Sequence, residues 1–239
     1  MNSKQHVRLL HIQLLCISRL SQRALDYAIK GYQLGNADFC GQVRAVDHKF
    51  REHHRQIQYL CHELTADGVT IPSDFRFALA ALRVDCALQR TYEAATRIAQ
   101  DTLLLIERSA MARCAPLDRF GRLVNSLMRL CTVALFEKEE CYAEMVLQSH
   151  GLLRRCELIF DHSSRDVGQR SVHSYVLAIT QSLSVIAKQA HEMAAAIHCW
   201  LNYQETVPTI DASGFDLLNF PSQSGDCRNA MYQSLPDAG

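Results

Sequence analysis

The sequence has few helix breakers, no paired cysteines and no long apolar run, and each lack excludes something. Before residue 207 only Pro72 and Pro116 occur, both where periodic segments open. A chain that keeps proline out of its segment interiors is suited to helices, which points to an all-α fold. Ten cysteines are present, but no two form a C-x-x-C pair, so zinc fingers and thioredoxin-type redox centres are not expected. Most of them lie beside Leu, Ile or Ala, where a thiol acts as a small hydrophobe, in keeping with a reduced, cytoplasmic protein. No apolar stretch approaches the ~18 residues of a spanning helix. The opening MNSKQHVRLLHIQLLCISRLSQR is interrupted by His11, Gln13 and Arg19, so neither a signal peptide nor membrane insertion is expected. Neither charge sign is in excess: Lys plus Arg and Asp plus Glu number 25 each, which leaves no field favouring nucleic acid.

Apolar periodicity dominates what is there. Helices are expected over about 6–34, 37–65, 73–110, 116–136, 138–162 and 167–203, with Asn36 and Ser73 as N-caps and Pro116 at a first helical position. Val43, Asp47, Phe50, His54, Ile57, Cys61 and Leu64 follow alternating four- and three-residue steps, as do Phe77, Ala81, Val84, Leu88, Thr91, Ala95, Ile98, Thr102 and Leu105. Both runs read as bundle seams. A shift of 95 residues places Leu25, Ile29 and Tyr32 on Phe120, Val124 and Leu127, and Phe50, Ile57, Cys61 and Leu64 on Met145, Leu152, Cys156 and Ile159. The same shift carries Phe77, Val84, Leu88 and Ile98 onto Val172, Ile179, Leu183 and Met193. The expectation is two tandem three-helix repeats, 1–113 and 114–203, followed by a flexible tail over 204–239 in which proline, glycine and polar residues surround the apolar island GFDLLNF.

Motifs that carry chemistry are scarce. The chain has no P-loop, dinucleotide fingerprint, nucleophile elbow, H-E-x-x-H or E-x-x-H, so no enzyme is expected and ferritin-like di-iron chemistry is disfavoured. His48, His53, His54, Cys61 and His62 crowd one segment. On a helix, however, His54 and Cys61 stand ~10 Å apart along the axis, too far to share one zinc unaided. His54 is expected as a seam residue near Asp47, with the other histidines on the surface. Arg51 with Arg55, and Arg154 with Arg155, read as solvated helix faces.

Two segments resemble a known family. LSQRALDYAIKGYQLGNADFCGQVRAVDHKFR, residues 20–51, combines an amphipathic helix, a short turn and a second helix with Asp47 and Phe50 at the positions of a D-x-x-[VI] pattern. IPSDFRFALAALRV, residues 71–84, carries Pro72, Ser73, Asp74 and Arg76 at the entry to a third helix. In these features the chain resembles the PhoU proteins, regulators of phosphate uptake and signalling built from two three-helix repeats. The resemblance implies an acidic motif on the third helix of each half, where carboxylates hold iron or zinc clusters. At the matching positions this chain has Gln89, Glu93 and Thr96 in one half and Ser184, Lys188 and His191 in the other. One carboxylate among these six is too few for a cluster, so no cofactor is expected, iron or zinc being the alternative. Glu93 and Lys188 are related by the 95-residue shift and read either as an ion pair standing where the metal would have been or as two unrelated solvated charges.

The resemblance implies a cytoplasmic regulator that works through protein contacts. The implied partners are a phosphate-transporter ATPase or a sensor kinase, with a homodimer left open. The alternative is a PhoU-fold scaffold no longer involved in phosphate control.

Overall fold

The computed structural model describes residues 3–66, 72–111, 114–154 and 170–202, and all of its regular structure there is helical. In chain order the helices are α1 (Ser3–Leu34), α2 (Ala37–Ala45), α3 (Asp47–Ala66), α4 (Pro72–Glu107), α5 (Ala115–Glu137), α6 (Glu140–Gln148) and α7 (Arg170–Leu201), with residues 150–154 also helical. The far end of the expected 138–162 helix and the expected 204–239 tail lie outside the described residues.

The all-α expectation is met, and the seam residues explain it. Every apolar position of the α4 seam from Phe77 to Leu105 is buried, together with Thr91 and Thr102. Val43, Phe50, Ile57, Cys61 and Leu64 are likewise buried on α2 and α3. Inside α4 the buried threonines Thr91 and Thr102 return their hydroxyls to the carbonyls of Ala87 and Ile98, 2.9 and 2.7 Å away, so their burial leaves no donor unmet. α4 packs most extensively on α7; α1 packs on α2, α3, α4 and α5, while α5 and α6 pack on each other and on α7. Residues through Asn202 form one compact unit with one continuous apolar core. An aromatic cluster ties α1, α4 and α7 together: His11 stacks on Phe77 at 4.2 Å, and Phe77 meets Trp200 at 4.9 Å.

The helix ends follow local chemistry. Asn36 caps α2, its side-chain oxygen accepting from the Asp38 amide at 2.8 Å. α1 closes with Gly35 at φ +61°, where the Asn36 amide reaches the Gly31 carbonyl at 3.1 Å. α4 closes in the same way at Ser109, with the Ala110 amide on the Leu105 carbonyl at 3.0 Å; both are Schellman closures. Ser73 is not a cap: the helix already includes Pro72. Pro fits an opening turn, where its missing N–H costs nothing.

Two expectations are corrected. The single helix expected over 37–65 is broken at Val46, and the one expected over 138–162 is broken at Ser149, whose hydroxyl bonds back to the Val146 carbonyl at 2.6 Å. Apolar spacing continues across both breaks, so periodicity does not reveal them. The repeat shift is also different. Gly35 and Lys138, both left-handed, are 103 residues apart. α2 and α6 have nine residues each and start 103 apart, and the breaks at Val46 and Ser149 keep that spacing. Buried Leu14, Ile17, Leu25 and Ala28 then match buried Leu117, Phe120, Met128 and Cys131. On the third helix of each half the shift is 102: Phe77, Ala78, Ala81, Val84, Leu88 and Thr91 match Ile179, Thr180, Leu183, Ile186, Ala190 and Met193, all buried. The 95-residue shift is one heptad short of 102. A heptad seam resembles itself when displaced by seven residues, so apolar matching alone selects the wrong turn.

Lys138 adopts with a side chain the conformation Gly35 adopts without one. A left-handed residue with a Cβ carries roughly 1–2 kcal/mol of steric cost. Lys138→Gly is therefore expected to stabilise the fold by about 0.5–1 kcal/mol and Gly35→Ala to destabilise it by about 1 kcal/mol. Denaturant midpoints check both; opposite signs at the two corners are the required result.

Candidate functional site

The α3–α4 face of the first half forms an open cleft of about 660 Å³ lined by Asp47, Phe50, Arg51, His54, Arg55, Gln89, Tyr92 and Glu93. The break at Val46 starts α3 at Asp47, which puts its carboxylate at a helix N-terminus, a favourable place for negative charge. Asp47 pairs with Arg51 at 3.0 Å and accepts from the Tyr92 hydroxyl at 3.2 Å. Tyr92 stacks on Phe50 with ring centroids 4.4 Å apart. Burial, and next the Asp47 carboxylate, push the Tyr92 phenol above its ordinary pKa, so it stays a donor. Gln89 donates to Glu93 at 3.1 Å, and the Thr96 hydroxyl is spent on the Tyr92 carbonyl at 3.0 Å. Glu93 and Thr96 also line an adjoining cleft with Arg44 and Arg97.

Beneath this cleft lies a pair that sequence reasoning missed. Asp85 is fully buried on α4, and the His54 Nδ1 reaches its carboxylate at 2.7 Å. Neither Asp85 oxygen has a well-aligned hydrogen-bond donor, so the contact is one of proximity more than of direction. Gln58 meets the other ring nitrogen of His54 at 3.0 Å. The expected neighbour of His54 was Asp47, one turn back on the seam; the actual partner comes from another helix, and Asp47 is taken by Arg51 and Tyr92. The available signal was Asp85 itself, four residues before Gln89 and eight before Glu93, hence on their face of α4. Of the other residues in the histidine-rich segment, His48 and His62 are exposed and His53 contacts Gln13 of α1 at 2.5 Å. Burial pushes the Cys61 thiol up to about 12, with the Asp85 charge adding to it, and Cys61 donates to the Ala78 carbonyl at 3.6 Å. It is a neutral core thiol, not a thiolate ligand.

The second half carries a cleft of about 760 Å³ between residues 147–154 and α7, lined among others by His150, Leu153, Arg154, Ser184, Lys188, His191 and Glu192. At the 103-residue shift Asp47, Phe50 and Arg51 become His150, Leu153 and Arg154; at 102, Gln89 and Glu93 become His191 and Ala195. The two clefts are therefore equivalent places in the repeat. Ser184, Lys188 and His191 are brought together here, and Gln89 and Glu93 in the first cleft, but the two sets do not meet. The expected Glu93–Lys188 ion pair is not among the ion pairs of the described residues. The pair was inferred from the 95-residue register, and in the observed register Glu93 corresponds to Ala195.

An all-α bundle of two repeated units, with a cleft at the equivalent place in each, defines the class. No protein-family model matches the sequence, and no curated protein matches it. Among solved structures, PhoU from Pseudomonas aeruginosa superposes with a TM-score of 0.77 at 18% identity, covering 83% of this chain and 98% of that one. The phosphate transport system regulatory protein PhoU from Streptococcus pneumoniae gives 0.76 at 16% identity, covering 85% and 98%. The chain has a PhoU-like fold.

That fold family implies iron or zinc at the third helices, and the residues here do not fit such a cluster. Hard or borderline cations held at a surface need several oxygens converging from one face. The first cleft offers Glu93, already engaged by Gln89, and Asp47, already paired with Arg51, with Arg55 along the wall; the second offers Glu192, with Lys188 and Arg154 on its walls. Elsewhere, Glu140, Glu144 and His198 bring three donor atoms within 4.8 Å of one another. They already face one another, His198 Nε2 lying 3.1 Å from Glu140 and 3.9 Å from Glu144, and Asn202 donates to Glu140.

Burial pushes Asp85 up to about 6, against the lowering effect of His54. The folded protein then holds a proton on Asp85 that the unfolded chain releases near 3.8. Stability should fall as pH rises from about 4 to about 6, by on the order of 2 kcal/mol from this group. Asp85→Asn should lose this fall and gain relative to the parent above pH 6. Thermal midpoints of both proteins across pH 4–7 check it; parallel profiles would show that Asp85 does not titrate in this way.

Proposed function

We propose that this chain is a cytoplasmic regulatory adaptor of phosphate uptake and phosphate-responsive signalling. It acts through protein–protein contacts, without turnover and without metal clusters. The observation that carries the reading is the PhoU-like fold, which spans 98% of each of two solved PhoU structures, one described as a phosphate transport system regulatory protein. The clefts support an adaptor more than a catalyst. They offer charged and aromatic side chains suited to docking, while the buried thiols Cys61 and Cys131 are pushed up to about 12 by burial and are unsuited as nucleophiles. No helix among the described residues is long and apolar enough to cross a membrane, so contact with a transporter would be made through its peripheral ATPase subunit or through a sensor kinase. Control would be steric: the bundle favours one state of the partner by binding that state better.

Association is expected to depend on phosphate supply. Affinity capture of the tagged chain from phosphate-replete and phosphate-starved cells should recover a phosphate-transporter ATPase or a sensor kinase in one condition preferentially. Deletion should disturb phosphate-regulated expression and uptake. Normal regulation in the deletion strain, with no such partner captured, refutes the reading.

A second reading, a PhoU-fold scaffold outside phosphate control, is favoured by a specific observation: five of the six motif positions carry no carboxylate. Capture of one stable partner unrelated to phosphate, unchanged by phosphate supply, supports it.

A further inference from the structure

The two clefts occupy equivalent positions, yet their charges differ in a consistent way. Each carboxylate in or beneath the first cleft is replaced in the second: Asp47 by His150, Asp85 by Ala187 and Glu93 by Ala195. One of the two arginines keeps a counterpart, since Arg51 corresponds to Arg154. In the first cleft Asp47 holds Arg51 at 3.0 Å. In the second, the position of that carboxylate belongs to His150, so Arg154 has lost the partner its counterpart keeps. From the opposite wall α7 contributes Lys188, and neither Lys188 nor Arg154 forms an ion pair among the described residues. Glu192 is the one carboxylate among the lining residues.

The histidines complete the arrangement. His191 Nδ1 lies 3.0 Å from the Ala187 carbonyl, which fixes the ring and places a proton on that nitrogen. Its Nε2 is shielded from solvent and has no hydrogen-bond partner, a condition polar atoms in proteins rarely keep without a ligand or water. His150 stands edge-on to it, with centroids 5.7 Å apart. An imidazole anchored at Nδ1 keeps Nε2 for a further hydrogen bond, which the hydroxyl of a phosphate group can supply.

We propose that the second cleft binds an oxyanion, a phosphate or carboxylate group, between Arg154 and Lys188, with His191 beneath it. A guanidinium and an ammonium on facing walls suit such a group, and charge-assisted hydrogen bonds to it are the stronger kind. The site is where the fold family would place a cation, and its chemistry is the reverse. The inference holds whether or not the chain regulates phosphate uptake. The oxyanion can be a free ion or an acidic side chain of a bound protein, and the two sources are distinguishable.

The test uses the full chain at constant ionic strength, so that screening does not vary. Inorganic phosphate is titrated across the millimolar range while the histidine ring signals are followed by NMR. The expected result is saturable movement of the His150 and His191 signals. Lys188→Gln and Arg154→Gln should each weaken binding about tenfold or more, whereas Arg51→Gln in the equivalent first cleft should leave it unchanged. Both test residues are exposed, and circular dichroism confirms that the variants fold. A parallel titration with a short glutamate-rich or phosphoserine peptide separates the sources: much tighter peptide binding assigns the cleft to a protein partner, and equal or weaker binding to the free ion. No saturable movement with either probe overturns the proposal. So does binding that both glutamine variants leave intact, or zinc occupying the two histidines while both anions are ignored.

Discussion

The packing of α4 against α7 positions the remaining helices, because these are the third helices of the two halves and each serves as the surface on which its own half is assembled. Both bury many small residues, among them Ala78, Ala81, Ala94 and Ala95 on α4 and Ala187, Ala190, Ala194 and Ala196 on α7. Small side chains bring helix axes toward the short end of the usual 8–10 Å separation, and α4 is buried over most of its circumference as a result. The faces that remain open on α4 and α7 are those that α3 and residues 147–154 only partly cover, and there the two clefts lie. Their location is therefore a by-product of the central packing, while their chemistry is set by a few side chains that packing leaves unconstrained.

The bundle was legible in the sequence because its seams are long and regular, and nearly every seam residue from Phe77 to Leu105 is where the spacing puts it. The Asn36 cap was legible for a local reason: its oxygen reaches an amide two residues on. What was not legible depends on contacts between distant segments. The breaks at Val46 and Ser149 leave the apolar rhythm intact. The repeat register was misjudged because heptads match at any whole-heptad displacement, and only features without that periodicity, such as the left-handed corners at Gly35 and Lys138, fix it. The His54–Asp85 contact joins residues on different helices; from the sequence, the acid nearest to His54 along its own seam was the more obvious partner.

Duplication also explains how the clefts came to differ. A repeated fold provides two copies of one surface, and the core needs neither copy's polar residues. The first copy keeps Asp47, Arg51 and Tyr92 as a closed set in which each group satisfies another. The second keeps the cation, with His150 in place of the carboxylate, and Arg154 has no ion pair among the described residues. Self-satisfied polar sets are rigid and chemically quiet, whereas a set with an unmet member favours whatever can complete it. The two halves thus share architecture but not the charge pattern of their clefts.

The left-handed lysine at the α5–α6 corner bears on motion as well as on registry. Lys138 holds its backbone in a region costly for a residue with a side chain, and its ammonium adds to burial in lowering the pKa of His11. His11 is stacked on Phe77, which in turn meets Trp200 near the end of α7. Partial opening of this corner relieves the backbone strain at Lys138. Its effects would pass first to the aromatic contact between α1, α4 and α7. The corner thus links a strained backbone position at the end of α5 to the ring contacts among α1, α4 and α7.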